Sequence, residues 1–355
     1  MPDARSVLLV EPDADGATPL AGVLGNDGWD VVRATNAAVA FQQAKQLKPA
    51  ALVVRGEIPG GAVGLVQKLR SCAHTALVPV VAVVNDASQD REPLRKWGVQ
   101  AVVDAPADDR AIAAAVKTVA PEPVVVTQAP DAVLAEPARM KALAKTGLLD
   151  TPPEELFDRV SRLTAHLLDV PVVLMSLVDR HRQFFKSQVG LPEPIASTRQ
   201  TPLSHSFCQW VVAEQDELIV PDTRQHTLLR SHRGTIEHGV AAYAGVPLRA
   251  DSHETIGSFC AVDMKPHEWD ARQLRALRDA ARVIEGLAAL RQAAHARPCS
   301  LDEFRNVVAT AGQAVQAVAR LQAAGAPKMT AAEQHDLLEV SGDLGRQLAE
   351  VAALR

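Results

Sequence analysis

The side chains that could act as nucleophiles or metal ligands are scattered along this sequence. Its four cysteines, Cys72, Cys208, Cys260 and Cys299, form no CxxC pair, so neither a zinc site nor a disulfide framework is indicated. A histidine stands three positions before Cys208, but the further ligands that a metal would need are missing. We expect reduced thiols that pack as small hydrophobic side chains.

The aspartates do not suggest a catalytic centre either. Four of them stand at predicted helix starts or strand ends, where capping and turn formation explain a carboxylate: Asp158, Asp179, Asp222 and Asp263. No glycine-rich phosphate loop of the P-loop or dinucleotide type is present. The sequence therefore predicts a protein that is not an enzyme.

Composition and charge exclude further classes of protein. The 355 residues carry 37 basic and 42 acidic side chains, a formal net charge of -5, which favours neither nucleic acid nor an anionic membrane as a partner. The longest apolar stretches are far shorter than the roughly 20 residues that cross a bilayer, and the N-terminus lacks the apolar core of a signal peptide. We expect a cytoplasmic protein with two domains and a helical appendage.

Residues 1–119 alternate short valine-rich runs with longer amphipathic stretches. The runs are Val7–Val10, Val31–Val32, Ala51–Val54, Val78–Val84 and Ala101–Val103. Because parallel strands need crossovers that helices supply, this alternation predicts a doubly wound α/β domain. The residues directly after each run then meet at one edge of the sheet, where such domains carry their chemistry.

Four segments of this domain match the pattern of a known family. They are VLLVEPDAD, LVVRGEIPGG, PVVAVVND and GVQAVVDAP. With them the domain resembles the receiver domain of bacterial response regulators. The resemblance implies an acidic pair after the first strand that holds a metal ion and an aspartate after the third strand that accepts phosphate. A hydroxyl group and a lysine then respond to the phosphate.

Matched residue by residue, this phosphorylation site is degenerate. After the first strand Glu11 is followed by a proline, and Asp13 stands one place further on, so one carboxylate of the expected pair remains. Arg55 takes the phosphoacceptor position, Val84 the hydroxyl position and Ala105 the lysine position. A guanidinium stays protonated and cannot attack phosphorus, so the domain is a pseudo-receiver. Two placements of Arg55 remain open, an internal ion pair with the acidic corner or a position in solvent at the edge of the sheet.

A proline-rich segment, residues 120–136, predicts an extended linker to the next domain. Residues 137–292 then begin with two stretches of helical spacing, followed by apolar runs at Val172–Val178, Leu218–Val220, Tyr243–Leu248 and Ile256–Val262. The last two runs, joined by a polar loop, predict an antiparallel hairpin. Helices on both sides of a mixed or antiparallel sheet indicate an α+β sensor fold.

Six segments of the second domain carry a resemblance of their own: GLLDTPPEELFDRVSRLTAHLLDVPVVLMSLVD, RQFFKSQVGL, SHSFCQW, IVPDTRQH, YAGVPLR and IGSFCAVD. In this order they resemble a GAF domain of bacterial sensor kinases and cyclases. The resemblance implies a small-molecule or chromophore pocket between the sheet and the helices that cross one of its faces. The lining that it implies comes from residues 184–185, the SHSFCQW segment, residues 222–238 and the hairpin. The residues singled out are Phe184, Phe207, Cys208, Trp210, Asp222, Tyr243 and Cys260.

The resemblance does not name a ligand, and the cofactor is unknown. A covalently attached bilin would need a cysteine within residues 228–238, and none occurs there. Haem would need an axial histidine, but histidines in polar loops are usually solvated. A thiol-based redox sensor using Cys208 and Cys260 is the alternative function. An enzyme of the GAF fold that reduces a sulfoxide would need several reactive thiols near one pocket.

Residues 298–355 predict a helical hairpin with one apolar stripe on each arm. The stripes are Phe304, Val308, Ala311, Val315 and Val318 on the first arm and Leu337, Leu344, Leu348 and Val351 on the second. Pairing of two copies into a four-helix bundle would bury both stripes. The alternative is a helical tail that packs on the GAF-like domain.

The start of this hairpin, DEFRN, weakly resembles the dimerisation and phosphotransfer module of histidine kinases. Asp302 stands at the place of the phosphoaccepting histidine, and no ATP-binding domain follows within these 355 residues, so we do not expect a kinase. We expect instead a non-catalytic, homodimeric signalling regulator. Its pseudo-receiver and GAF-like sensor would act through the helical module on another signalling protein, either a histidine kinase or a response regulator.

Overall fold

The computed structural model describes residues 6–12, 18–55, 58–85, 90–120, 128–250, 253–296, 301–325 and 329–353. The chain divides into two compact units, Met1–Thr127 and Gln128–Arg355. Each unit is built around its own β-sheet.

In the described part of the first unit, five strands alternate with five helices. They are β1 Ser6–Val10, α1 Pro19–Asn26, β2 Asp30–Ala34, α2 Ala37–Leu47, β3 Ala51–Arg55, α3 Ala62–Ser71, β4 Val80–Asn85, α4 Arg91–Lys96, β5 Ala101–Ala105 and α5 Asp109–Val119. The strands pair in parallel in the order β2-β1-β3-β4-β5, which reverses between β1 and β3 as in doubly wound sheets. The predicted α/β fold is confirmed.

Both faces of this sheet are buried because successive side chains on a strand point to opposite sides. Leu8 and Leu52 lie in one core with the apolar residues of α2 and α3. Val7 and Val53 lie in a second core with those of α1 and α5. Strands that are covered on both faces must be apolar throughout, which is why they appear in the sequence as uninterrupted valine-rich runs.

The described part of the second unit contains the remaining helices and strands. They are α6 Asp131–Leu134, α7 Pro137–Lys145, α8 Glu155–Leu168, β6 Val172–Val178, β7 Arg182–Val189, α9 Ile195–Thr198, β8 Gln200–Pro202, α10 Cys208–Glu214, β9 Leu218–Val220, α11 Arg233–Ile236, β10 Ala242–Arg249, β11 Thr255–Asp263, α12 Ala271–Ala296, α13 Leu301–Gly325 and α14 Ala331–Ala353. The strands form an antiparallel sheet in the order β8-β7-β6-β11-β10-β9. The predicted α+β fold is confirmed, and β10 and β11 form the hairpin.

The predicted linker, residues 120–136, is only partly a linker. Residues 121–127 lie outside the described ranges, but the chain from Gln128 onward belongs to the second unit. Ala129 donates its backbone N–H to Oε1 of Gln209 at 2.8 Å, and Leu134 of α6 is buried. The apolar residues of this segment thus anchor it to the second unit.

Residues 298–355, predicted as a separate dimerisation module, belong to the same unit as the sensor fold. Helix α13 lies along α12, and α14 contacts α8, α12 and α13. The second predicted stripe is buried within the chain, since Leu337, Leu344 and Val351 lie in the core that α8 and α12 share. The structure therefore has the alternative arrangement, a helical segment packed on the sensor domain, and the homodimer stays a prediction.

The first predicted stripe is only partly covered. Val318 is buried against this core, whereas Val308 and Val315 stay exposed. Helix α13 turns Val307 and Ala314 inward instead, because small side chains on that face allow a closer approach to α12.

Among the helices that the structure describes, none combines the length and the apolar character of a membrane span.

Candidate functional site

The carboxyl ends of β1, β3, β4 and β5 meet at one edge of the first sheet. Arg55, the last residue of β3, donates from Nη1 to Oδ1 of Asp109 in the first turn of α5 at 2.8 Å. Glu11, which follows β1, is buried and accepts from Nη2 of Arg33 at 2.8 Å. An ion pair between Arg55 and Glu11 is therefore not formed, since each residue has another partner. Asp13 lies outside the described residues.

The two remaining positions of the degenerate site offer no polar side chain. Val84 is buried in β4 opposite Asp104, and Ala105 ends β5 opposite Asn85. A phosphorylated carboxylate needs a cation and hydrogen-bond donors around it, which a valine and an alanine cannot supply. In the described part of this edge, the two arginine–carboxylate pairs take the place of that chemistry.

The second unit contains a cavity of about 250 Å³ on one face of its sheet. Its walls come from β6, β7, β10 and β11 on one side and from the segments between β7 and β10 on the other. Most of the lining is apolar: Leu174, Phe185, Ile195, Phe207, Val240 and Val262 belong to it. A cavity of this shape holds an uncharged ring or a hydrocarbon group.

Four of the seven predicted lining residues lie on this wall, namely Phe207, Cys208, Tyr243 and Cys260. The rings of Phe207 and Tyr243 meet edge to face, with their centroids 5.4 Å apart. This geometry is the favoured one for two aromatic rings, and it fixes the α10 end of the wall against β10.

The other three predicted residues do not line the cavity. Phe184 points to the opposite face of β7 and packs in the core under the helices, so its neighbour Phe185 faces the cavity instead. Trp210 follows Cys208 by two positions on α10, a turn of about 200°, and its side chain is buried away from the wall. The sequence motif identified the right segments but not which neighbour points inward.

Asp222 has a structural role instead. It caps the short 3-10 turn Thr223–Gln225 by accepting the backbone N–H of Arg224 at 3.0 Å. The guanidinium of Arg224 also donates to it at 2.8 Å, and this hydrogen bond holds the pKa of the carboxyl well below its ordinary value.

Asp302, the predicted counterpart of a phosphoaccepting histidine, lies near the start of α13. Its exposed carboxylate lies 3.5 Å from Arg305.

One end of the cavity is polar. Its histidines and its glutamate belong to segments predicted for the wall, but they were not among the residues singled out. Nε2 of His205 and Oε2 of Glu237 are 2.9 Å apart, and this hydrogen bond lowers the pKa of Glu237. The ring of His238 lies beside His205, with 5.3 Å between centroids. The hydroxyl of Thr201 is buried on the same wall and has no hydrogen-bond partner in the described structure. These residues come from separate segments of the chain, and only Glu237 and His238 are neighbours in the sequence. That adjacent pair is therefore the sequence signal that could have marked this end.

The two cysteines on the wall face each other. Their Sγ atoms are 3.6 Å apart, and the hydroxyl of Tyr243 donates to Sγ of Cys208 at 3.3 Å. Burial raises the pKa of the Cys260 thiol well above its ordinary value. At Cys208 burial acts in the same direction, but hydrogen bonds from Cys260 and Tyr243 outweigh it and lower the pKa to about 7. The pair can therefore hold one negative charge and not two.

The family model of the GAF domain matches residues 152–288. This part of the chain is a GAF domain. A cyclic di-GMP phosphodiesterase of Pseudomonas aeruginosa is 28% identical over 134 residues, which are 37% of this chain and 22% of that relative. The match thus spans about a fifth of the relative's length. The cavity described above belongs to the GAF domain, and the helices α13 and α14 lie outside the matched residues.

Solved receiver domains are similar to about a third of the chain. One belongs to a sensor histidine kinase of Pseudomonas aeruginosa, with 19% identity over 34% of this chain and 100% of that one, at a TM-score of 0.31. A chemotaxis response regulator of Vibrio cholerae has 14% identity over 33% and 98%, at a TM-score of 0.30. The strand order β2-β1-β3-β4-β5 is the one found in such regulators. The first unit therefore has a receiver-like fold.

Proposed function

We propose that this protein is a non-catalytic signal-transduction regulator whose GAF domain binds a small molecule. The observation that carries the proposal is the composition of the cavity, which has apolar walls and a polar end with an unpartnered, buried hydroxyl at Thr201. A buried hydroxyl without a partner costs about 1 to 3 kcal/mol. A bound polar group would recover this free energy, so Thr201 marks the place where a ligand is held.

The size and lining of the cavity define the class of ligand. A volume of about 250 Å³ lies near the lower end of the roughly 300–1,000 Å³ that is typical of small-molecule sites, which suits a molecule with a single ring. Phe185 and Phe207 would contact the ring, and the His205–Glu237 pair would accept or donate hydrogen bonds at its polar end. Cyclic di-GMP, which the phosphodiesterase relative acts on, contains two nucleotides, and a one-ring molecule suits this volume better.

The ligand is tested on the full chain with a matched pair of threonine variants. Native mass spectrometry of the purified protein should reveal a retained small molecule, or a panel of one-ring amines, alcohols and phenols should raise its melting temperature. Thr201→Val removes the unpartnered hydroxyl, so we expect the empty variant to be more stable and the ligand to bind several-fold more weakly.

The control is Thr235→Val, because Thr235 donates to the carbonyl oxygen of Leu229 at 2.7 Å and is not part of the cavity lining. We expect this variant to bind the ligand as the unchanged protein does. A protein that purifies empty and whose melting temperature no member of the panel changes would contradict the proposal.

The receiver-like domain has a different part in this proposal. Arg55 stands where a phosphoacceptor would be and is held by Asp109 at 2.8 Å, so the domain offers one constant surface to a partner. We propose that the partner is another signalling protein, a histidine kinase or a response regulator, and that the chain acts as a homodimer in the cytoplasm. Specificity would come from surfaces rather than from catalysis.

The helices provide the route from the ligand to the partner. Strand β11 contributes Cys260 and Val262 to the cavity wall, and α12 follows it in the chain after a short loop. Helix α12 packs on α13 and α14. A packed helical seam shifts between discrete arrangements, so a change in the cavity would be transmitted to the surface of these helices.

A further inference from the structure

The thiols of Cys208 and Cys260 are close enough for a disulfide bond to form after a small movement. The two residues are 52 positions apart in the chain, one on α10 and the other on β11, and their Sγ atoms are 3.6 Å apart. A disulfide bond measures about 2.05 Å, so each sulfur would have to move by about 0.8 Å. The strand and the first turn of the helix can remain in place during such a movement.

Both thiols are buried, yet a small molecule can reach them. Cys208 is 2% exposed and Cys260 is 0% exposed to bulk solvent, but both line the cavity of about 250 Å³. Met264, another lining residue, is 47% exposed and places one side of the cavity at the protein surface. Hydrogen peroxide has two heavy atoms and fits such a space.

The surroundings of Cys208 favour its thiolate, which is the form of cysteine that acts as a nucleophile. The hydroxyl of Tyr243 donates to its Sγ at 3.3 Å, and the same hydroxyl lies 3.4 Å from Oγ of Ser258. Gly245 makes this placement of the tyrosine ring possible, since a Cβ there would lie 2.3 Å from the hydroxyl oxygen. Cys260 has no comparable activation and is suited to attack second.

We propose that Cys208 and Cys260 form an oxidation site for hydrogen peroxide and other small hydroperoxides. The thiolate of Cys208 attacks one peroxide oxygen, the O–O bond breaks, and a sulfenic acid forms while the departing hydroxide takes a proton and leaves as water. The thiol of Cys260 then attacks the sulfur of the sulfenic acid. The S–S bond forms, and the hydroxyl group leaves as a second water with the proton of Cys260. The two thiols lose two electrons, and the peroxide gains them.

This site goes beyond the proposed ligand and does not depend on it. The disulfide would join α10 covalently to β11 and would take away the sulfur that accepts the hydrogen bond of Tyr243. Because the same residues form the cavity wall, oxidation would change the wall with or without a bound molecule.

The test is a cysteine map of the full chain before and after treatment with hydrogen peroxide. The treated protein is quenched, denatured, labelled with N-ethylmaleimide and digested. We expect Cys208 and Cys260 to lose their label together and to appear in one cross-linked peptide pair, lighter by two hydrogens and released by dithiothreitol. Cys72, which is buried in the other unit, should keep its label and serves as the internal control.

Four variants complete the test. Cys208→Ser and Cys260→Ser should each abolish the cross-link, whereas Cys72→Ser should form it as the unchanged protein does. Tyr243→Phe keeps the ring and removes the donor, so we expect the cross-link to form several-fold more slowly at pH 7 and the midpoint of its pH profile to move upward. A tyrosine with only a packing role would leave that midpoint unchanged.

The outcomes separate this site from the proposed ligand. Full labelling of both cysteines after peroxide treatment would overturn the oxidation site, as would irreversible oxidation of Cys208 without a cross-link or a disulfide between two chains. None of these results bears on the binding of a one-ring molecule, which the Thr201 variant tests.

Discussion

Glu285, on the face of α12 that meets the end of β10, is a half-buried acid with an unusual proton affinity. Its Oε1 accepts the backbone N–H of Arg249 at 2.7 Å. Burial raises the pKa of its carboxyl from 4.5 to about 7, because the charged form loses hydration that one hydrogen bond and nearby arginines only partly replace. At mildly acidic pH the folded protein therefore holds a proton that the unfolded chain has released.

This proton makes the stability of the second unit depend on pH. Between about pH 4.5 and 7 the folded state keeps the proton on Glu285 and the unfolded state does not, so the free energy of unfolding falls as the pH rises. Each pKa unit corresponds to about 1.4 kcal/mol, so the full effect is at most about 3.5 kcal/mol. Glu285→Gln has no charge to bury and should lose this dependence.

Urea titrations at several pH values measure the effect directly. We expect Glu285→Gln and the unchanged protein to differ little at pH 5, and the variant to be more stable by about 2 kcal/mol at pH 8. A difference that stays constant from pH 5 to pH 8 would show that Glu285 is charged in the folded state throughout.

Single residues also show how far the sequence could predict the candidate sites. The replaced phosphoacceptor, Arg55, was found from the sequence because each strand of the first sheet ends at a recognisable position. Its partner Asp109 was not, since the reach of an arginine depends on where α5 packs. The sequence named Cys208 and Cys260 together for the pocket and for a redox sensor, but it did not predict that their sulfurs are in contact. The alternation along β11 tells which side of the sheet Cys260 faces, but not which residue of another element covers it.

Among the helices, the packing of α13 on α12 depends on one glycine. A Cβ at Gly286 of α12 would lie 2.3 Å from Cβ of Ala314 on α13, so the two backbones approach each other closely there. An ion pair fixes the same two helices, since Arg320 of α13 donates to Asp279 of α12 at 2.9 Å. The close approach explains why α13 uses small residues on its inner face.

A pair of glycine variants tests this packing. Gly286→Ala should destabilise the second unit by about 1 to 3 kcal/mol, because the added methyl group cannot fit without moving a helix. Gly312 lies on α13 with open space around its Cα, so Gly312→Ala should stabilise the protein by up to about 1 kcal/mol through helix propensity alone. Chemical denaturation of both variants measures the difference. Equal effects at the two positions would contradict the close approach of α12 and α13.

Helix α14 shows why the sequence suggested self-association. Its apolar stripe was visible, but the surface that receives it lies on α8, more than 150 residues earlier in the chain. That surface is basic where α14 is acidic: Nε of Arg159 lies 3.5 Å from Asp336, and Nδ1 of His166 lies 2.7 Å from Glu333. An apolar stripe predicts that this face of the helix is covered by other residues. It does not show whether those residues belong to a second copy or to another part of the same chain.

At the scale of the whole molecule, the receiver-like shape is present without the residues of phosphoryl transfer. The doubly wound sheet of the first unit keeps the architecture of a receiver, while the described ends of its strands carry ion pairs and apolar side chains where the phosphorylation residues would be. The GAF domain has a cavity and a packed set of helices through which a signal can pass. Binding and contact, rather than transfer of phosphate, would then carry the information.

The most direct test of this central claim is to treat the full chain with acetyl phosphate and magnesium and to measure its intact mass. A response regulator with an intact phosphoacceptor aspartate, treated in parallel, shows that the reagent is active. The account predicts an unchanged mass for this protein and for its Arg55→Ala variant. A gain of one phosphoryl group that maps to residues 1–119 would contradict it.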